Sequence, residues 1–395
     1  MPTSPYRGEV RMLLRSALLL FTFTVVIGIL NGTDLVDFDR KALLAHVHAG
    51  TLGWITMSVI ATAFWLFALG DTRPSGRPFV SLLAIAAPVT ITAYALAFLM
   101  TFGVVRPMVG GLVLIEIVLV ALWVYRQTPG RTLSVPHVAL LAAVTMSIVG
   151  ATLGVLLGYR LANGSNVIPA TASSAHPAAM VVGFLVPVGV AFIEWLVDPS
   201  SVTKKASIVG WLQIALPFLV GLLAMIGLLL DMPPLVTIGL PFEVIGRVIL
   251  IVRLRGPLAA AANIARDGTA RHGAMALVFL IVNLALLIYL VVNFFSQNLP
   301  PPENVLLALD HSIFIGVMTN GILAVITMFR RPVSSAIGHI VFVGVNLGLV
   351  GSLTGLLLDS APIKEVSAPV LGLSILLAVV VNVMNLSGAA EVGRA

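Results

Sequence analysis

Twelve long apolar runs, separated by short polar breaks, take up most of the chain. They lie near 12–30, 42–69, 79–103, 107–125, 136–158, 170–197, 206–230, 234–252, 273–295, 304–329, 335–358 and 366–387. A helix needs about 20 apolar residues to cross the hydrocarbon core of a bilayer. Backbone groups there find no water and must be paired within the segment. Each run therefore predicts one transmembrane helix. The expected fold is an all-α integral membrane protein of 12 transmembrane helices, a single polytopic domain over 1–395. The longest connection, near 253–272, reads as a basic loop containing RLRGP and RDGTARHG. The first run follows Arg7, Arg11 and Arg15, as a signal peptide would, but lacks a small-x-small exit and reads as an uncleaved first helix.

The polar breaks set an orientation. Basic residues favour the cytoplasmic side of short loops. With the N-terminus inside, Arg7, Arg11, Arg15, Arg73, Arg77, Arg126, Arg131, Lys204, Lys205, Arg253, Arg255, Arg266, Arg271, Arg330, Arg331 and Arg394 fall on inner segments. Only Arg40, Lys41, Arg106, Arg160 and Lys364 fall on outer ones, and Arg247 lies within a run. Both termini are expected in the cytoplasm, with the plasma (inner) membrane as the location. Trp65, Trp123, Trp195 and Trp211 lie near inner helix ends, where an aromatic belt would stand.

Composition sharpens this picture. The 395 residues are 59% hydrophobic and 10% charged, with no cysteine, against roughly 45–50% and 25% in a soluble domain. A soluble enzyme, a disulfide scaffold and a Cys-ligated metal centre are excluded. The net charge of +6 belongs to loops facing a lipid bilayer, so no nucleic-acid partner is expected.

Four of the seven histidines carry the candidate chemistry. His46 and His48 lie just inside the second run, His176 just inside the sixth and His311 just inside the tenth. At about 1.5 Å per residue, all four sit roughly 6–10 Å below the outer helix ends. Ionisable residues inside a membrane are functional candidates by default. The helices that bear them recur every fourth span, whereas a major-facilitator transporter would show a six-plus-six repeat. His137, His272 and His339 lie at inner helix ends and read as interface residues.

Neutral imidazole binds iron and copper through one ring nitrogen. Two imidazoles from different helices can sandwich a haem. His46 and His48 are i and i+2, about 200° apart around a helix, so only one can face a given haem. The other serves a second site or a hydrogen bond. Haem propionates call for cations at the outer face, and Arg40, Lys41, Arg106 and Arg160 are candidates, with Lys364 beside them. Glu116, Glu243 and Arg247 are further buried polar groups; Glu243 and Arg247 are i, i+4 and can pair. Glu194 lies near the inner surface and reads as interfacial.

The span pattern, with histidines near the outer ends of helices 2, 6 and 10, resembles haem–copper oxidase subunit I. His176-Pro177-Ala178-Ala179-Met180 resembles that family's helix 6 motif His-Pro-Glu-Val-Tyr, whose His binds copper. His311 resembles a helix 10 haem ligand, and His46 or His48 the helix 2 ligand of the low-spin haem. Ala178 and Met180 replace the motif's Glu and Tyr, helix 7 has no histidine, and Leu309 and Ile313 flank His311 where a His-x-His would be. A closer resemblance is to NnrS-type proteins, a haem- and copper-containing membrane family linked to nitric oxide stress. It rests on His46-Val47-His48 through Gly53-Trp54, on His311, Gly316, Leu323 through Thr327 and Arg330, and on Gly246-Arg247.

The resemblance implies an oxidase-like bundle holding haem b, one or two, with copper possible at His176. It implies a protein that handles electrons or a small gas such as nitric oxide without reducing oxygen, served by a respiratory or other electron-donor partner. The residues alone also allow a secondary transporter or channel with an intramembrane His/Glu proton path, or a non-catalytic assembly subunit. Whether the chain turns over any substrate stays open at this point.

Overall fold

The computed structural model describes residues 4–71, 76–100, 103–260, 268–297 and 299–387. The orientation residues Arg73, Arg266 and Arg394 lie outside the described residues. Twelve helices are long and apolar enough to cross a membrane: α1 (Arg7–Gly32), α2 (Arg40–Leu66), α3 (Arg77–Met100), α4 (Val105–Arg126), α5 (Val135–Asn163), α6 (Ala172–Val197), α7 (Ile208–Leu229), α8 (Pro233–Ala259), α9 (Gly268–Gln297), α10 (Glu303–Thr327), α11 (Ser335–Leu357) and α12 (Ala361–Leu386). The described residues contain no strand.

Several helices outrun their apolar cores. α1 begins at Arg7 rather than near 12, and α8 carries the RLRG segment expected in a loop. Hydropathy marks where the hydrocarbon ends. The helix continues because straight-chain Arg is a good helix former. Side-chain caps set several of the sharp starts: Asp39 accepts from Ala42 N–H at 2.8 Å at the head of α2, and Ser207 accepts from Gly210 N–H at 3.2 Å at the head of α7.

The helices form nine outer and three inner columns. In the most apolar stretch of α2, α6 and α10, 89%, 83% and 72% of residues are buried, against 33–44% in the other nine. Around the rim, α1, α3, α4, α5, α7, α8, α9, α11 and α12 touch in that order, and α12 closes against α1. The chain is thus three four-helix units, α1–α4, α5–α8 and α9–α12, and the second helix of each turns inward.

Each inner helix contains a π-helical segment: Ala49–Thr56, Ala179–Leu185 and Ser312–Thr319. Such segments are rare and gather at functional sites. Here hydroxyls bond to carbonyls five residues back, Thr56 to Thr51 at 2.9 Å and Thr319 to Phe314 at 3.1 Å. The Trp54 indole ties two of the segments together by donating to Thr319 Oγ1 at 3.0 Å. Each segment holds a glycine that lets the preceding helix come close. A Cβ at Gly53 would meet Leu20 of α1, at Gly183 Met146 of α5, and at Gly316 Phe279 of α9.

The expected aromatic belt is largely absent. Trp65 and Trp195 are buried and stacked on one another at 4.7 Å, because α2 and α6 are inner helices with no lipid contact at that level. Trp123 is buried edge-on against Tyr6 and Phe64, and of the four only Trp211 is exposed. Glu194, expected at the interface, is also buried. It takes a two-pronged bond from Arg253, both contacts at 2.7 Å, and a third from Gln213 at 2.8 Å, which joins α6, α7 and α8.

Glu243 and Arg247 form the pair their spacing predicts, 0% and 2% exposed, with Nε to Oε1 at 2.9 Å. Arg247 also donates to Leu280 O at 2.7 Å and Asn283 Oδ1 at 3.2 Å on α9, while Glu243 Oε2 is buried without a hydrogen bond. Removing one partner of a buried pair strands the other's charge. Arg247→Met should therefore lower stability by about 3–5 kcal/mol. The double change Glu243→Leu with Arg247→Met should recover most of that loss, as measured by thermal unfolding in detergent.

Candidate functional site

Alternation of helix direction puts the starts of α2, α6 and α10 at one end of the bundle, remote from the N-terminus. From the π segments onward the inner helices are almost wholly buried. Above them, in the turns that carry the histidines, they are only half-buried, with Val47, Ser173, Ser174 and Leu307 exposed. His46, His48, His176 and His311 all line this more open end.

All four rings are fixed in the same way. His46 Nδ1 meets Thr24 O at 2.9 Å, His48 Nδ1 meets Leu44 O at 2.8 Å, His176 Nδ1 meets Gly150 O at 2.8 Å, and His311 Nδ1 meets Leu307 O at 2.7 Å. A carbonyl oxygen only accepts, so each Nδ1 must carry the proton and donate. Each Nε2 then holds a lone pair, and none has a hydrogen-bond partner. This is the arrangement in which a histidine serves as a metal ligand: one nitrogen oriented by a backbone carbonyl, the other presented.

His137 contrasts with these. His137 uses both nitrogens: Nδ1 accepts from Ser134 at the head of α5, and Nε2 donates to Leu66 O at 3.3 Å. His272, near the start of α9 at the opposite end of the bundle, is buried and likewise donates through Nδ1, here to a side chain, Asn320 Oδ1, at 2.7 Å. His339 Nδ1 lies 3.3 Å from Arg271 Nη1.

The four presented rings fall into two pairs. His46 and His311 are within electrostatic range of each other, across the α2–α10 interface. His48 is within range of His176, across α2–α6, and of Arg106. The opposite facing of His46 and His48 thus divides them between two neighbours. His48 is walled by Phe98, stacked at 4.1 Å, and by Tyr94, edge-on at 5.5 Å. Glycine seats two of the rings: a Cβ at Gly28 would lie 3.5 Å from His46 Cε1, and one at Gly154 only 2.9 Å from His176 Cε1.

Of the cations, Arg106 is drawn to this end. It is buried, its guanidinium lies 4.9 Å over the Phe98 ring, and Arg40 is its electrostatic neighbour. Arg160 is committed to its own loop through Asn166 Oδ1 and Ile168 O. Lys41 is half-buried near the head of α2, and Lys364 is paired with Asp359 at 3.8 Å. Glu116 accepts from Thr90 at 2.7 Å and leaves Oε1 buried without a hydrogen bond. The Glu243–Arg247 pair reaches the site indirectly: Asn283, which it contacts, donates to Leu309 O and Ser312 Oγ, both at 3.1 Å, beside His311.

Copper is implied at His176 by the resemblance. Among the described residues no group of three or more His, Asp or Glu side chains is placed to hold a metal ion. A haem fits the donors better, because it brings its own equatorial nitrogens and asks the protein only for axial ones. Thr24, Gly28, Tyr94, Phe98 and the carbonyl of Gly150 escaped the sequence reading. The stripe Gly150, Gly154, Gly158 on α5 was the one visible trace of a ring seat. No protein-family profile matches the chain, and no curated protein matches it significantly.

A structural role for His137 makes a simple contrast. His137→Ala removes the reciprocal cap at the start of α5 and should cost roughly 0.5–2 kcal/mol of stability. Optical spectra of any bound chromophore should be unchanged, as thermal melts and absorbance on the same sample would check.

Proposed function

We propose that this protein binds haem b within the membrane and carries electrons, with His46 and His311 as the two axial ligands of a haem between α2 and α10. The observation that carries the reading is the shared tautomer: Nδ1 is spent on backbone carbonyls and Nε2 is presented, in rings paired across helix interfaces. When bound, haem supplies one-electron chemistry. The residues of this chain orient the two imidazoles, exclude water by apolar packing beneath the rings, and set positive charge at the open end.

We further infer an oxidase-like layout with both termini cytoplasmic, in a plasma (inner) membrane. Support comes from the return of histidine helices every fourth span and from the basic ends opposite the histidines, among them Arg77, Arg131, Arg253 and Arg271. An electron donor is then expected at the outer, histidine-bearing end. A haem held by both imidazoles would have no open position on its iron, so gas chemistry and oxygen reduction are not part of this reading. No step is derived through copper.

The test is a reduced-minus-oxidised spectrum with a pyridine haemochrome assay on the purified full chain. A low-spin b-type spectrum that resists carbon monoxide when reduced is expected. His46→Ala and His311→Ala should each lose that haem or open it to carbon monoxide. A colourless preparation from haem-replete cells would favour the transporter reading. Cyanide-sensitive oxygen consumption by the pure protein with a reduced donor would overturn the electron-carrier assignment.

A further inference from the structure

We propose that the chain holds a second haem, between His48 of α2 and His176 of α6, as a structural copy of the His46–His311 site. The proposal rests on the haem reading above and extends it to the residues that reading leaves unused.

The three four-helix units can be aligned on the glycines of the π segments, Gly53, Gly183 and Gly316. Each glycine faces a large residue of the preceding helix: Leu20, Met146 or Phe279. Four and eight residues beyond those lie Thr24 and Gly28 in the first unit, and Gly150 and Gly154 in the second. The Thr24 carbonyl receives His46 Nδ1–H and the Gly150 carbonyl receives His176 Nδ1–H, at 2.9 and 2.8 Å. The rings of His46 and His176 then lie against Gly28 and Gly154. Both histidines stand seven residues before the π-segment glycine.

The other two histidines match in turn. His311 and His48 each stand five residues before the π-segment glycine of their own helix. Each donates Nδ1–H to the carbonyl four residues back, Leu307 and Leu44. One ring anchored on the preceding helix and one anchored on its own helix make up each pair. Advancing by one unit carries α10 onto α2 and α2 onto α6. The same step carries His311 onto His48 and His46 onto His176.

The third interface shows what a lost site looks like. Seven residues before Gly316 is Leu309, and five before Gly183 is Ala178. The position equivalent to Gly28 and Gly154 is Leu287, and the position equivalent to Thr24 and Gly150 is Asn283. Asn283 is tied to Leu309 O and Ser312 Oγ and to the Arg247 ion pair. Below this level α6 and α10 close on one another: a Cβ at Gly189 would meet Val317, and one at Gly321 would meet Phe192. Of three equivalent positions, two keep both ligands and a glycine ring seat, and one has neither ligand nor seat.

The ligand count selects the occupant. Among the described residues no third His, Asp or Glu joins either pair, as an octahedral or tetrahedral metal ion held by such side chains would ask. A tetrapyrrole supplies four nitrogens and needs only two. At this second site Phe98, stacked on His48, and Tyr94, edge-on to it, hold the imidazole in place, and the buried Arg106 places a cation beside His48 for a propionate.

The test is the haem-to-protein ratio of the purified full chain, with a redox titration. Two haems per chain and two one-electron components are expected. His48→Ala, His176→Ala and Gly154→Leu, which copies the filled third unit, should each drop the ratio from two to one and remove one component. His176→Met retains a residue able to ligate iron through sulfur. It should keep two haems and shift the potential of one, guarding against simple misfolding of the alanine variant. A wild-type ratio of one that survives His48→Ala and His176→Ala, and is lost in His46→Ala and His311→Ala, overturns this proposal and leaves the first reading standing. Absence of haem from the wild type overturns both.

Discussion

A backbone carbonyl can accept a hydrogen bond and cannot donate one, and four such carbonyls govern the open end of this bundle. Each forces a proton onto the Nδ1 of one histidine and leaves Nε2 as a bare lone pair. The Thr24 and Gly150 carbonyls accept two of these bonds, and the neighbouring Gly28 and Gly154 leave room for the rings. Leu44 and Leu307 are available because His48 and His311 bend back on their own helices. Ring orientation, tautomer and the facing of the pairs follow from those bonds. In hydrocarbon the alternative, an imidazole N–H without a partner, costs several kcal/mol, so the arrangement is strongly held.

The bundle beneath translates this local constraint into architecture. π-helical segments begin one to three residues after each histidine, and their glycines admit the preceding helix to close contact. That contact brings the α1 and α5 carbonyls within reach of the rings. At the other end, Glu194 with Arg253 and Gln213, and along the α8–α9 face Glu243 with Arg247 and Asn283, lock helices together through charges that are fully hydrogen-bonded or nearly so. Such groups are retained where the fold satisfies them, and their removal one at a time is costly. The polar framework and the histidine end are joined at Asn283, where the third unit has exchanged a ring anchor for a packing bond.

The repeat of four helices is the deeper regularity. Units that share a plan but differ in side chains can hold a site in one interface and fill it in another. Leu309 and Leu287 stand in the third unit where the first has His46 and Gly28, apolar side chains in place of a ligand and its seat. α2 stands at the centre of the remaining chemistry. Its two histidines face different neighbours, His46 toward His311 and His48 toward His176.

The sequence alone determined the twelve spans, the shared depth of four histidines, the four-helix recurrence and the Glu243–Arg247 pair, because each depends on hydropathy or on spacing along one helix. It could not show that α2, α6 and α10 are the buried ones, because their hydropathy is no higher than that of the rim. For the same reason Trp65, Trp123 and Trp195 read as a lipid belt although they stand in the core. Nor could it choose between His46 and His48 as partner to His311, or see His48 and His176 as a pair. Those pairings depend on which rings face one another across helices and, for His46 and His176, on a carbonyl and a glycine of the preceding helix. Both are set by helices meeting at long sequence separation, so only the tertiary structure decides them.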